Sequence, residues 1–145
     1  MSKTVSTGMA SASYFRIAVV GAHLTGMPLN HELTERKAVF VAATRTAPKY
    51  RLFALSSSIP PKPGLIRTGE GSGRPIEVEL WDMPFDAVGS FLAGIPAPLG
   101  IGTLELADGR RSHGFICEGY ACEDAIDITV FGGWRAYRAA TQDIP

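Results

Sequence analysis

Residues 103–117 read TLELADGRRSHGFIC, two runs of strand composition on either side of Asp108-Gly109. Asp-Gly accepts the positive φ angles of a tight hairpin turn, so this stretch predicts an antiparallel β-hairpin. Upstream, residues 94–102 (GIPAPLGIG) read as a loop, and residues 85–92 (FDAVGSFL) place Phe85, Val88 and Leu92 at the spacing of a short amphipathic helix. Residues 76–82 (IEVELWD) alternate with period two. Glu77 and Glu79 then share one face, opposite Ile76, Val78 and Leu80, and such an acidic face is ordinarily solvated. Residues 69–75 (GEGSGRP) are a flexible tip, and residues 59–67 (IPPKPGLIR) are a stiff surface connection whose prolines hold Lys62 with little chain entropy left to lose.

Earlier still, residues 38–46 and 50–55 read as strands joined in a hairpin across Ala47-Pro48-Lys49, with one short helical turn in HELTERK before them. Residues 14–20 (YFRIAVV) are the first strand, stopping abruptly at Gly21. Residues 1–13 read as a flexible leader, leaving a single domain over 14–145. At the other end, DITVFGGWRAYRAA reads as a short strand, a Gly-Gly hinge and a last helical turn carrying Trp134 and Tyr137. The sum is about six or seven strands with two or three short helices. That is α+β, an antiparallel sheet or partly closed barrel, because a doubly wound sheet needs long crossover helices.

Fourteen Lys+Arg balance fourteen Asp+Glu in 145 residues, so the chain lacks the positive field of a nucleic-acid binder. No apolar run reaches the length of a membrane span, and a cytoplasmic location is expected. Cys117 and Cys122 are the only cysteines, so no disulfide framework is expected. With His113 they fall short of a zinc ligand set, and neither a metal nor a cofactor is expected. The phosphate-cradling glycine loops and the G-x-S-x-G elbow are absent, and Ser56, Ser57 and Ser58 have no base nearby in sequence.

Chemistry concentrates after the first strand. His23 stands in GAHLTGMPLN, where glycines let the backbone turn or approach a ligand closely, and imidazole exchanges a proton near neutrality. Arg51 and Lys62 are the cations suited to a small dianion. Tyr50 and Asn30 add neutral donors, and the backbone of Gly21, Ala22 and Leu24 adds amides. Tyr50 and Arg51 are neighbours on a strand, so both face one pocket only across a bulge. His31, beside Glu32 in a polar stretch, is expected in solvent.

The segments VVGAHLTGMPLN, TAPKYRLFAL, PPKPGLIR, IEVELW, IPAPLGIGTLELADGR, GFICEG and DITVFGGWRAY resemble the C-terminal domain of allophanate hydrolase, also found in urea amidolyase, from about Arg16 to Ala139. The resemblance implies a γ-glutamylcyclotransferase-like fold, a mixed, mainly antiparallel β-barrel with a few short peripheral helices. In the cyclotransferases a loop after the first strand binds substrate, and Gly21-Ala22-His23-Leu24 stands there. The glutamate that those enzymes use beyond a later strand has no counterpart in FDAVGSFLAGIP. The resemblance implies decarboxylation of N-carboxycarbamate, the product of an allophanate-hydrolase amidase. His23 is then the general acid, Arg51 and Lys62 hold the carboxylates, and Leu24, Met27 and Leu65 assist desolvation. A non-catalytic module docked on a separately encoded amidase, a homo-oligomer, and a divergent cyclotransferase using Glu77 or Glu79 are the competing readings.

Overall fold

The computed structural model describes residues 13–56, 58–69 and 71–141. Almost all of the leader, residues 1–12, lies outside them. β1 (Tyr14–Val19) is the centre of a five-stranded sheet, ordered β2-β5-β1-β7-β6, with β2 at Val39–Arg45, β5 at Glu77–Pro84, β6 at Leu99–Glu105 and β7 at Arg111–Cys117. Neighbours on both edges and cover on both faces explain why Ile17, Ala18 and Val19 are fully buried. β1 runs antiparallel to β5, with Ile17 opposite Trp81, and parallel to β7, with Ile17 opposite His113. The 103–117 hairpin forms as read: Gly109 takes φ 90° and its amide donates to Leu106 O.

A second sheet, ordered β4-β3-β8, comprises β3 (Tyr50–Ala54), β4 (Pro63–Arg67) and β8 (Ile126–Asp127). Here the structure corrects two expectations. β2 and β3 form no hairpin: the Ala47 amide donates to Glu105 O, and the chain leaves one sheet for the other across Pro48, which has no donor to continue a ladder. The proline-rich stretch is not merely a surface connection. Pro63 opens an edge strand, where a missing N–H is tolerated, and Pro63, Gly64 and Leu65 are buried against the larger sheet. A Cβ on Gly64 would stand 2.7 Å from Cys117 Sγ, so glycine sets how closely the two sheets approach.

The expected barrel becomes a curled but open sheet. Its edges, β2 and β6, meet at one corner through a bridge between Thr46 and Leu106. β6 begins at Leu99, inside the segment read as loop; the Ile116 side chain covers Gly102, whose Cβ would lie 2.6 Å from Ile116 Cδ1.

Three helices flank the sheets: α1 (His31–Thr34), α2 (Phe85–Ala93) and α3 (Trp134–Thr141). α2 buries Phe91 rather than Phe85 and Leu92, which are exposed, because its inward stripe is Ala87, Val88 and Phe91. Among the described residues there are also two 3₁₀ turns, Gly119–Cys122 and Thr129–Phe131. Gly132 then takes φ 77°, fulfilling the glycine hinge before α3. No helix among the described residues is long and apolar enough to cross a membrane.

A buried histidine–lysine pocket and its neighbours

Beyond β1 the chain folds back in a tight turn in which the Leu24 amide donates to Gly21 O (3.0 Å) and the Leu29 amide to Ala22 O (2.8 Å). Gly21 is required by close approach: a Cβ there would sit 2.2 Å from Pro63 Cδ. Gly21→Ala is therefore expected to destabilise the fold by about 1–3 kcal/mol, read as a lowered midpoint in chemical denaturation. Asn30 Nδ2 donates to His23 O at 2.9 Å, so Asn30 braces the loop rather than facing a ligand. Leu24 is a core residue with its amide already used, whereas the amides of Ala22 and His23 have no acceptor among the described residues.

The turn directs His23 inward, where it is only 7% exposed. Its ring stacks on Phe115 (centroids 5.1 Å apart) and meets the edge of Phe91 (5.2 Å). Its Nε2 lies 2.7 Å from Glu32 Oε1 on α1. A carboxylate only accepts, so Nε2 carries a hydrogen and Nδ1 is the atom left to exchange a proton with a ligand. Burial pushes the His23 pKa below its ordinary value, with Lys62 acting in the same direction and Glu32 opposing both. Unliganded, the imidazole is mainly neutral at pH 7.

Lys62 comes from the residue before β4 and is 8% exposed. Its ammonium has no hydrogen-bond or ion-pair partner among the described residues, an uncommon state for so enclosed a lysine. His23 and Lys62 line a pocket together with Gly21, Ala22, Leu99 and Phe115; its volume of about 20 Å³ is room for one water molecule. On its other side Lys62 lines an open cleft of about 820 Å³, walled by Ser56, Ser58, Ile59, Tyr120, Glu123 and Asp124 among others.

Arg51 and Tyr50 do not join this pocket. Arg51 lies opposite Ile66, at the far end of β4 from Lys62, and its guanidinium is held by Asp127 (Nε to Oδ2, 2.8 Å) and by Ser72 O. Tyr50, 1% exposed, accepts the Glu105 amide at its hydroxyl (2.9 Å) inside the core. The strand alternates without a bulge, so the two side chains take opposite faces. His113 packs against Phe15, and no group of three or more His, Cys, Asp or Glu among the described residues is placed to hold a metal ion.

Two partners escaped the sequence reading, Glu32 and Arg135. Glu79 is buried, against the expected solvated face. Its Oε1 accepts from the Thr25 amide and hydroxyl (2.9 Å each) and from Trp81 Nε1 (3.2 Å), and Arg135 reaches Oε2 (3.2 Å). Arg135 also binds Glu77 Oε2 (3.1 Å) and Thr25 O (2.8 Å), so α3 is tied to the loop two residues after His23. These acids anchor the loop; neither is placed among the residues lining the His23 pocket.

Residues 15–139 match the family described as Allophanate hydrolase C-terminal domain. Urea amidolyase of Saccharomyces cerevisiae is 44% identical over 125 residues, 84% of this chain but 7% of that protein. The chain thus spans a small part of the curated relatives it matches. The crystal structure of Kluyveromyces lactis allophanate hydrolase superposes with a TM-score of 0.86 at 40% identity, covering 89% of this chain and 22% of that one. A solved gamma-glutamyl cyclotransferase gives a TM-score of 0.54 at 12% identity over 79% of this chain and 69% of that one, a likeness of fold alone. With the match running unbroken through the turn that carries His23 and the strands that enclose it, the chain belongs to the allophanate hydrolase C-terminal domain family.

Proposed function

We propose that this domain binds a small dicarboxylate between Lys62 and His23 and decarboxylates N-carboxycarbamate, within urea or allophanate breakdown. The observation that carries the reading is Lys62, 8% exposed and with an ammonium that has no partner among the described residues, lining the same pocket as a buried imidazole. A cation held at a cleft without an internal anion is a preformed site for an external one.

A dicarboxylate exceeds the small pocket as it stands, so it enters from the wide cleft, with the flexible Lys62 stem yielding as its ammonium takes a carboxylate. The amides of Ala22 and His23 are further donors. An arriving dianion favours imidazolium, so binding draws a proton onto Nδ1 while Glu32 holds Nε2–H. The C–N bond to one carboxylate then breaks, and its electron pair stays on nitrogen, which takes the Nδ1 proton. CO₂ departs, carbamate remains, and the ring returns to neutral. Phe91, Phe115 and the Lys62 stem exclude water around the reacting group.

The relatives carry this segment inside larger chains, and an amidase, whether fused or separately encoded, is the proposed supplier of substrate. The test adds the full chain to an amidase that is generating N-carboxycarbamate from allophanate at mildly alkaline pH and follows CO₂. Acceleration is expected, with Arg51→Ala as active as the parent because that guanidinium is engaged elsewhere. An unchanged CO₂ rate would reject the reaction.

A further inference from the structure

β7 ends at Cys117, and the chain then folds through the 3₁₀ turn Gly119–Cys122, which brings the second cysteine back against the first. The turn is fixed at several points: the Glu118 amide donates to Pro98 O (2.9 Å), the Ala121 amide to Glu118 O (3.2 Å) and the Cys117 thiol to Glu118 O (3.4 Å). On its other side Cys117 Sγ is pressed against Gly64 of β4, which leaves it little room to turn away from its neighbour. The two thiols touch as hydrogen-bonding neighbours, Cys117 buried and Cys122 half-buried. Burial pushes the Cys117 thiol up to about 12, with Cys122 acting in the same direction. Burial raises Cys122 as well, but there the contact with Cys117 works against it. Cys122 is therefore the thiol that meets solvent and ionises more readily, and Cys117 is held behind it.

We infer that Cys117 and Cys122 are a modification site, a thiol pair that closes an intramolecular disulfide by exchange with a small disulfide of the glutathione class. The Cys122 thiolate attacks one sulfur of that disulfide, whose S–S bond breaks, and the first small thiol leaves with a proton. Cys117 then gives up its proton and attacks Cys122 Sγ in the mixed disulfide, releasing the second small thiol. Two protein thiols are oxidised to one disulfide, and one small disulfide is reduced to two thiols. Tyr120 and Ala121, which line the wide cleft, lie within the ring so formed, so oxidation stiffens that wall. Neither His23 nor Lys62 takes part, and the inference stands apart from the decarboxylation reading.

The test equilibrates the full chain, native and in concentrated guanidinium chloride, with mixtures of oxidised and reduced glutathione, quenches with acid and maps the products by mass spectrometry. The native chain is expected to lose two hydrogens through a Cys117–Cys122 bond, with an equilibrium constant at least about tenfold larger than that of the unfolded chain, because the fold holds the thiols together. Cys117→Ala is expected to stop at a glutathione adduct on Cys122. Cys122→Ala is expected to take up at least about tenfold less, because Cys117 is buried. A native chain that stops at the Cys122 adduct, crosslinks to a second copy, or closes the ring no better than the unfolded chain would overturn the inference.

Discussion

His23→Gln is expected to slow CO₂ release about 10²- to 10⁴-fold while the protein stays folded, because glutamine keeps a donor for Glu32 but has no proton to transfer. The loss belongs in kcat rather than in malonate affinity, since Lys62 still holds the anion. An equal rate for variant and parent would remove the imidazole from the chemistry. The same substitution has a stability signature whose sign follows from burial. The folded pKa of His23 is depressed, so on acidification the unfolded chain takes the proton first. The parent's stability from this group is whole above the unfolded pKa of about 6.5 and is lost as pH falls through the lower folded value. His23→Gln is expected to flatten that part of the profile, which thermal denaturation across mildly acidic pH reads directly.

Lys62→Met moves two observables in opposite directions. Affinity for malonate should fall by about 10²-fold or more, as when one partner of a buried charge pair is removed. Stability of the unliganded protein should rise by about 0.5–2 kcal/mol, because a mostly buried lysine stem whose ammonium has no internal partner is replaced by an apolar chain of similar length. A lysine merely packed into the core would give neither result together with the other. Calorimetric titration and chemical denaturation of one preparation check both, and undiminished malonate binding would contradict the assignment.

The local elements were legible where short-range chemistry decides them. Asp108-Gly109 dictated a turn, the β-branched run before Gly21 dictated a buried strand, and the abrupt glycine announced a close approach, here to Pro63. What stayed hidden was set by distant residues. Period-two alternation showed that Glu77 and Glu79 share a face; it carried no sign that Arg135, from the last helix, covers that face. Lys62 and Arg51 looked equivalent as cations in the sequence. Only the pairing of β3 with β8 shows that Asp127 claims the arginine, while Lys62 lies just before β4, beside His23. The resemblance supplied the right family. The parallel pairing of β1 with β7, which brings Phe115 under the His23 ring, joins segments far apart in the chain and leaves no local trace.

The Arg135 tie gives the last helix influence out of proportion to its length. Because its guanidinium grips the backbone of Thr25, anything that tugs on or unwinds that helix, such as a tag, a fused neighbour or a docked protein, is transmitted to the bend holding the imidazole. Damage at the far end of the polypeptide would then look like a failure of chemistry before it looked like a failure to fold.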